Sequence, residues 1–334
     1  MLLIISDVDD VSTIHVMEWL DFRKVAAKRI NGADTIESFV YNHALPQKSR
    51  LIYADGAVLL EEVSAYWYRR GIFNFQLKTS PENYPPTLAR TLSKELDNLT
   101  YFLYDQLETK PGLGSKIKNA INKPKVLYHA QRVGLDIPHS ITTTSKKMVQ
   151  DFFTQKGALI TKAIQDIGGG ASIQGKSFIP YTQLMDQAFI DELPDEFFPA
   201  IFQEKLEKEY ELRIFYLDGD CHSMAIFSQL DEQTKVDFRK YNQEKPNRRV
   251  PYQLSEELTL KIQQLMDTLG LDTGSIDMVV TKDKRYVFLE VNPVGQFGMV
   301  STPCNYYLER KIADNLIGKS KKKDGTRKNH SIQR

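Results

Sequence analysis

The chain has 334 residues and a net charge of +1 at pH 7, with 26% charged and 41% hydrophobic residues. This length suggests two or three lobes, and the composition is that of ordinary globular proteins. No apolar run approaches the roughly 20 residues that span a bilayer, and the first residues form a strand-like run without the basic start of a signal peptide. Cys221 and Cys304 have no spacing for a zinc site. We therefore expect a protein of the reducing cytoplasm with no membrane partner.

The charge is distributed unevenly along the chain. Residues 319–334 carry seven basic side chains against Asp324, so the remainder has a small negative net charge. A basic segment without apolar periodicity predicts a disordered tail. Because a negative body is a poor surface for nucleic acid, we expect no nucleic-acid partner.

Residues 1–115 are predicted to form a first lobe, which ends near the turn signal Pro111-Gly112-Leu113-Gly114. Its predicted elements are a buried strand at 2–5, a helix at 16–30, strands at 34–41 and 50–53, and a long helix at 87–107. The run Tyr66-Trp67-Tyr68-Arg69-Arg70 could hold a peptide, although aromatic residues at this density are more often core.

Two further lobes are predicted after this boundary. The first has predicted helices at 116–120, 123–133 and 145–156, and strands at 141–144, 158–163 and 173–179. The second has predicted strands at 201–206, 210–217 and 222–227, a helix at 255–269 and a final hairpin. Mixed strands and helices with antiparallel hairpins predict an α+β chain of about three lobes.

The final hairpin joins two β-rich runs, residues 274–280 and 286–293, through Asp283-Lys284. If the turn is centred on these two residues, Asp277 faces Glu290, and Asn292 shares their side of the sheet. The opposite side is then formed by apolar cross-strand pairs, namely Ile276 with Val291, Met278 with Leu289 and Val280 with Val287.

Two carboxylates and an amide oxygen beside a hydrophobic sheet suit a hard divalent cation such as Mg²⁺. Acids on facing strands can instead be solvated or paired with bases. The apolar residues around Asp277 and Glu290, and the Asn292-Pro293 that follows, favour metal ligands here.

Candidate phosphate contacts lie in the middle of the chain. Lys125 is one, and Lys162 is another because an ammonium in an apolar strand is costly unless it meets an anion. Lys162 could also be an edge or snorkelling lysine. The Gly168-Gly169-Gly170 loop lets backbone amides approach phosphate oxygens, although it could be a plain mobile turn.

Nucleotide and phosphoryl contacts could come from the third lobe. The strand backbone at residues 202–206, including Glu204, Lys205 and Leu206, could read an adenine edge, and Glu211 could accept from ribose hydroxyls. Arg213 and Arg239 are candidate clamps for transferring phosphoryl oxygens. For each arginine, a surface salt bridge with Glu209 or Asp237 is the alternative.

Taken in order, these residues resemble the ATP-grasp ligases over roughly residues 116–317. The resemblance implies a pre-ATP-grasp domain at 1–115, a central lid subdomain at 116–190 and a C-terminal antiparallel-sheet subdomain with the metal site at 191–318, before the basic tail at 319–334. It also implies ATP and two Mg²⁺ as cofactors. Its site residues would be the ATP contacts Lys125, Lys162, Gly169, Gly170, Glu204, Lys205, Leu206 and Glu211, and the metal ligands Asp277, Glu290 and Asn292.

A narrower resemblance covers nearly the whole chain. The aromatic–arginine run, the segments 208–213 and 237–241, and the run Glu290-Val291-Asn292-Pro293-Val294-Gly295 look like the graspetide synthetases, which include grasp-with-spasm maturases and microviridin-type macrocyclases. This implies that the partner is a precursor peptide with a leader and a core. The enzyme would phosphorylate Asp or Glu side chains of the core, and Thr or Ser hydroxyls, or Lys amines, would close the rings.

The resemblance also suggests the catalytic residues. Arg239 matches the Asp-Phe-Arg arginine of ribosomal-protein glutamate ligases and is expected to act in the transfer step, with Arg213 second. Asp237 would orient Arg239 or act as a base. Changing Asp277 or Glu290 to Ala should abolish ATP turnover and leave the fold intact.

Two other functions remain open. One is an ATP-grasp ligase that adds amino acids to a peptide or protein end. Those ligases follow the metal-binding Asn with Ser-Pro-Gly, whereas this chain has Pro293-Val294-Gly295. The other is a non-catalytic peptide-binding protein, but such a relic should have lost metal ligands or phosphate lysines. The leader site, ester or amide chemistry, and a homodimer stay open.

Overall fold

The computed structural model describes residues 1–76, 81–164, 171–173, 176–178, 182–228 and 247–328. The chain forms two compact units. Unit 1 comprises Met1–Ala120, Leu271–Gly274 and Pro293–Arg334, and unit 2 comprises Ile121–Gly270 and Ser275–Asn292. Among the described helices, none combines the length and the apolar character needed to cross a membrane.

The first segment of unit 1 is a mixture of short strands with two α-helices. Its helices are α1 (Val11–Phe22) and α2 (Pro86–Glu108), with 3-10 turns at Pro46–Lys48, Leu60–Glu62 and Pro81–Asn83. Its strands are β1 (Leu2–Ser6), β2 (Ala27–Asn31), β3 (Thr35–Ile36), β4 (Ser38–Val40), β5 (Arg50–Tyr53), β6 (Gly56–Leu59), β7 (Ala65–Tyr68), β8 (Asn74–Phe75) and β9 (Gly112–Leu113). A parallel sheet in the order β2-β1-β7-β9 carries the fully buried strand β1, as the apolar run at its start predicts.

The predicted helix at residues 16–30 is wrong in its second half. Helix α1 begins after Asp10, whose side chain accepts a hydrogen bond from the Thr13 amide at 3.1 Å. It ends at Phe22, and Lys24 has a left-handed φ of 57°. The following residues pair with β1 as the parallel strand β2. Pairing with a buried strand outweighs the apolar spacing, which is a local signal only.

The predicted helix at 116–120 is also wrong, because these residues form bends and turns. Five residues are too few to make a helix nucleus favourable. The Ser115 hydroxyl accepts a hydrogen bond from the Lys118 amide at 2.9 Å, which offers the backbone a local alternative to helix.

The glycines near the predicted lobe boundary serve close packing. Gly112 lies in β9, beside β7, and a Cβ there would lie 2.1 Å from Cε1 of Tyr66. Gly114 has a φ of +73°, and its Cβ would lie 2.2 Å from the carbonyl oxygen of Tyr68. Glycine therefore lets this segment approach β7, and unit 1 continues to Ala120.

The aromatic–arginine run belongs to the interior of unit 1. Tyr66, Trp67 and Tyr68 on β7 are 7%, 2% and 3% exposed. These three aromatic residues therefore belong to the core, and the alternative role in peptide binding does not apply to them. Arg69 and Arg70 contact the carboxylate of Asp10, with N–O distances of 3.1 and 2.8 Å.

In the described residues, unit 2 contains a four-stranded sheet, a five-stranded sheet and a separate two-stranded sheet, together with helices. Its helices are α3 (Lys123–Arg132), α4 (Lys146–Lys156), α5 (Gln187–Glu192) and α6 (Glu256–Leu269). Its strands are β10 (Ser140–Ser145), β11 (Leu159–Lys162), β12 (Ala171–Ile173), β13 (Lys176–Phe178), β14 (Gln183–Met185), β15 (Glu196–Glu204), β16 (Lys208–Leu217), β17 (Asp220–Phe227), β18 (Arg248–Tyr252), β19 (Thr273–Thr281) and β20 (Tyr286–Asn292). Most elements lie where apolar periodicity predicts them, including α3, α4, α6, β16 and β17.

The two larger sheets of unit 2 carry the predicted site residues. The central sheet has the order β10-β15-β11-β14, and its core face, with Phe202 and Leu159, packs with Val149 and Phe152 of α4. The C-terminal sheet has the order β18-β17-β16-β19-β20. Strand β19 is buried along its whole length, so the carboxylate that it carries lies in a largely dry environment.

The chain returns to unit 1 for its last helices, α7 (Gly298–Cys304) and α8 (Leu308–Lys328). Residues 293–318 therefore group with the first lobe, whereas the predicted boundaries placed them in the third. The disorder predicted from Lys319 begins too early, because α8 continues to Lys328. Lysine is a good helix former, and a helix that is already nucleated extends at little cost.

Candidate active site

The predicted hairpin is present, and its turn differs from the predicted one. Residues 282–284 form a three-residue loop that ends at Lys284, which has a left-handed φ of 67°. The Thr281 amide donates to the Arg285 carbonyl at 3.0 Å across this loop. An odd number of loop residues shifts the register by one, so Val280 pairs with Tyr286 and Met278 with Phe288. The predicted pairs Val280–Val287 and Met278–Leu289 are wrong for this reason.

A register shift between Asp277 and Met278 restores the predicted pairing farther from the turn. Leu289 is the extra residue, as in a β-bulge. Beyond it, Asp277 faces Glu290, Ile276 faces Val291 and Ser275 faces Asn292. The prediction that the two carboxylates face each other, with Asn292 on the same side, is therefore confirmed.

Each carboxylate of this pair contacts a basic side chain. Asp277 is 8% exposed, and its two oxygens lie 2.7 and 2.6 Å from Nη1 of Arg213, on the neighbouring strand β16. Glu290 lies 3.5 Å from Nζ of Lys123, at the start of α3. The surface bridge considered between Arg213 and Glu209 is absent from the described contacts, in which Glu209 pairs with Lys284.

The oxygen donors suit a hard cation. Asp277, Glu290 and Asn292 offer two carboxylates and an amide, which is the ligand chemistry of Mg²⁺. In the part of the chain that the structure describes, no group of three or more His, Cys, Asp and Glu side chains could hold a metal. A cation here would therefore use the amide or phosphate oxygens in addition to the two carboxylates.

Strand β16 continues the polar side of the sheet. Glu211 and Arg213 alternate with Leu212 and Ile214, as predicted, and their side chains lie on the same face as Asp277. Glu211 is 5% exposed and accepts a hydrogen bond from Lys208. A buried carboxylate next to a buried arginine is costly unless partners compensate the charges, and the described contacts provide them.

The central sheet carries the other predicted nucleotide residues. Lys162 is the last residue of β11, half-buried, and lies opposite Ile201. Glu204 ends β15, and its carboxylate accepts from the His139 amide at 3.0 Å. The backbone amides of Glu204 and Lys205 donate to the carbonyls of His139 and Ala158.

A cavity of about 550 Å³ borders this sheet beside α3. Its lining includes Leu127, Tyr128, Ser140, Thr142 and Ile201. None of the predicted ATP-binding residues that the structure describes lines this cavity. This cavity is therefore not the nucleotide site that the sequence predicted.

The remaining predicted site residues lie outside the described residues. They are Gly169 and Gly170, within 165–170, and Asp237 and Arg239, within 229–246.

Lys123 is a candidate that the sequence reasoning missed. Lys123 is 8% exposed and contacts Glu290, whereas Lys125 is exposed to solvent. Residues two apart on a helix point about 200° apart, so only one of the two lysines can face the sheet. The sequence feature that could have indicated Lys123 is Asn122, whose side chain accepts a hydrogen bond from the Lys125 amide and caps α3. This cap makes Lys123 the first helical residue.

Comparison with known proteins gives matches among solved structures. No family model and no curated protein matches the chain. An ATP-grasp ligase of Chryseobacterium gregarium, described as RiPP-associated and in complex with ADP and a leader and core peptide, is 24% identical, with a TM-score of 0.82 over 95% of this chain and 96% of that one. The macrocyclase MdnC of Microcystis aeruginosa, bound with precursor peptide MdnA, is 25% identical, with a TM-score of 0.77 over 95% and 100%. The ATP-grasp ligase PsnB, complexed with a minimal precursor variant, Mg and ADP, is 18% identical, with a TM-score of 0.70 over 96% and 98%.

The chain therefore has the ATP-grasp fold, and the predicted α+β class is confirmed. Within that class, the matches over nearly the full chain include ligases whose structures hold leader, core or precursor peptides, and a macrocyclase. The narrower resemblance to the peptide-maturing ATP-grasp enzymes is thus confirmed as well.

Proposed function

We propose that the protein is an ATP-dependent ligase that closes macrocycles in a ribosomally made precursor peptide. It activates Asp or Glu side chains of the core and joins them to Thr or Ser hydroxyls, or to Lys amines. The observation that carries this proposal is the facing pair Asp277 and Glu290 beside Arg213, in a chain with the ATP-grasp fold. Structures similar to this chain hold ADP, Mg and precursor peptides.

Nucleotide binding is assigned to the two larger sheets of unit 2. Asp277, Glu290 and Asn292 would hold Mg²⁺, and we propose two ions. Their positive charge would offset that of the triphosphate. Lys162 and Lys123 bind phosphate oxygens as point charges. The adenine lies along Glu204–Leu206. Among the described contacts, the amides of Glu204 and Lys205 donate within the protein, so the Leu206 amide is the donor assigned to the adenine. Glu211 accepts from the ribose.

The chemistry follows from the poor electrophilicity of a carboxylate. A side-chain carboxylate of the peptide attacks the γ-phosphorus of ATP, which releases ADP and forms an acyl phosphate. A hydroxyl or amine then attacks the acyl carbon, loses its proton and expels phosphate. The proposed role of Arg239 and Arg213 is to neutralise charge on the transferred group and on the tetrahedral oxyanion. Asp237 orients Arg239 or takes the proton of the attacking group.

The test of this function is the intact mass of the peptide product. The protein is incubated with ATP, Mg²⁺ and peptides encoded by short Thr- and Glu-rich open reading frames next to its gene. A loss of one water per ring, with ADP formed in equal amount, is the expected result. A gain of amino-acid residues would instead identify the ligase that extends peptide ends. No change in any peptide, with ATP left intact, would refute both activities.

The two lysines at the start of α3 provide a matched pair of variants. Lys123→Met should lower peptide-dependent ADP formation by about 10- to 100-fold, since a hydrogen bond to a charged group contributes about 1.5–3 kcal/mol. Lys125→Met should stay within about twofold of the wild type, as exposed substitutions usually do. Steady-state rates of ADP release measure both. A larger loss in Lys125→Met would restore the original assignment of Lys125 to the phosphates.

A further inference from the structure

The segment that follows Asn292 is anchored within unit 1 by two arginines. Nη1 of Arg69 donates to the carbonyls of Val294 and Gly295, at 2.5 and 3.1 Å. Nη2 of Arg70 donates to the Val294 carbonyl at 3.2 Å. Three hydrogen bonds thus hold two consecutive carbonyls, and each has a charged donor. Such bonds are roughly twice as strong as those between neutral groups.

Side chains of the same segment add to this anchor. Phe297 is 1% exposed, and the guanidinium of Arg69 lies over its ring, 5.3 Å from the centroid. The ring of Trp67, on β7, lies 6.5 Å from the Phe297 ring, measured between centroids. Val294 packs against the hydrophobic core of unit 1. The aromatic–arginine run therefore holds this segment through both its rings and its charges.

The two arginines are themselves held by a buried carboxylate. The Asp10 side chain is 1% exposed, and its Oδ2 lies 3.1 Å from Nε of Arg69 and 2.8 Å from Nε of Arg70. Because Arg69 is buried as well, its guanidinium cannot leave this contact without stranding a charge away from water. Asp10, Arg69 and Arg70 thus form a fixed base for the segment.

Few rotations separate this base from Asn292. Asn292 ends β20, and Pro293 begins the last part of the chain that groups with unit 1. A trans peptide bond joins the two residues, which places their Cα atoms about 3.8 Å apart. Proline fixes its own φ and restricts the preceding residue to extended conformations. A displacement of the Val294 carbonyl would therefore be transmitted to the backbone of Asn292.

A residue that orients a metal ligand affects metal affinity without touching the metal, and its loss typically costs 10- to 100-fold. We propose that Arg69 is a positioning residue for the metal site. By holding the carbonyls of Val294 and Gly295, it sets the position from which the Asn292 amide binds Mg²⁺. This proposal rests on the proposed function, which assigns Asn292 to the metal, and it gives the aromatic–arginine run a role in the reaction.

The test measures the binding of Mn²⁺ in the presence of ADP, from the EPR signal of the free ion. Mn²⁺ replaces Mg²⁺ because it also prefers oxygen ligands. Arg69→Lys retains a positive charge next to Asp10 but loses the planar fork of donors. We expect the Kd for Mn²⁺ to rise about 10-fold in Arg69→Lys and about 100-fold in Arg69→Met. Arg70→Met loses a single carbonyl contact and should show a smaller rise than Arg69→Met.

Leu20→Ala separates positioning from a general loss of stability. Leu20 is 1% exposed on α1, and its truncation leaves a cavity in unit 1. This variant should unfold at a lower urea concentration than the wild type but bind Mn²⁺ with the same Kd. A wild-type Kd in Arg69→Met, or an equal rise in Leu20→Ala, would overturn the proposal. A wild-type protein that dehydrates no peptide would refute the macrocyclase function, and weaker Mn²⁺ binding by Arg69→Met would then still support the positioning role.

Discussion

Asp277→Ala is expected to lose ATP turnover by about 10²- to 10³-fold, the cost of removing one group that stabilises charge in a transition state. It is also expected to destabilise unit 2. Arg213 and Asp277 have side chains only 10% and 11% exposed. Removing the carboxylate leaves the guanidinium buried without its charge partner, which costs about 3–5 kcal/mol. The sequence alone predicted a loss of turnover with an intact fold, and the buried contact with Arg213 changes that expectation.

The measurements are peptide-dependent ADP formation and urea unfolding. The Asp277→Asn variant keeps the shape of the side chain and removes only its negative charge. Glu290→Ala, whose side chain is 22% exposed, should lose turnover with a smaller loss of stability. The double variant Arg213→Met/Asp277→Ala should regain stability, because an apolar replacement of a buried ion pair is often neutral, but it should stay inactive. Wild-type turnover in Asp277→Ala would contradict the metal assignment.

Asp10→Ala is expected to destabilise unit 1 by about 3–5 kcal/mol, because it leaves the buried Arg69 without its charge partner. The Asp10 side chain is 1% exposed and lies within 3.1 Å of Nε of both Arg69 and Arg70. Arg69, at 4% exposed, also donates to the carbonyls of Val294 and Gly295. Burial lowers the pKa of Arg69 to about 10, and the charge of Asp10 opposes that shift.

The loss of stability in Asp10→Ala should have two separable parts. Asp10 also caps α1 by accepting from the Thr13 amide, and the loss of a cap costs about 1 kcal/mol. Asp10→Asn keeps the cap and removes the charge, so it should recover only the smaller part. Asp9→Ala, one residue earlier and exposed, is the matched control and should lie within about 0.5 kcal/mol of the wild type. Urea unfolding midpoints measure the stability of the three variants. An Asp10→Ala protein as stable as Asp9→Ala would contradict the stabilising role of Asp10.

Several features could be predicted from the sequence because their causes are local. Apolar spacing was sufficient to predict α2, α3 and α6. The N-cap Ser255 and the C-terminal Gly270 mark the two ends of α6. The alternation of side chains placed Asp277, Glu290 and Asn292 on one face without knowledge of the rest of the chain. The pairing of the two carboxylates was right even though the turn was not, since the odd-numbered loop and the bulge at Leu289 cancel.

Other features depend on partners distant in sequence. The end of α1 is decided by the pairing of β2 with β1. Whether Lys123 or Lys125 belongs to the site is decided by which lysine faces Glu290. The cation next to Asp277 is Arg213, 64 residues away along the chain. Neither apolar periodicity nor motif spacing contains such contacts, because they arise only when strands become neighbours in a sheet.

The sequence by itself thus determined the ATP-grasp class and the acidic pair on the last hairpin, because both follow from ordered motifs and from the alternation of side chains along strands. Only the tertiary structure decided which basic residues face these acids, namely Arg213 and Lys123. The physical reason is that strand order and helix orientation come from packing the whole chain, and buried charges take the partners that this packing brings within reach.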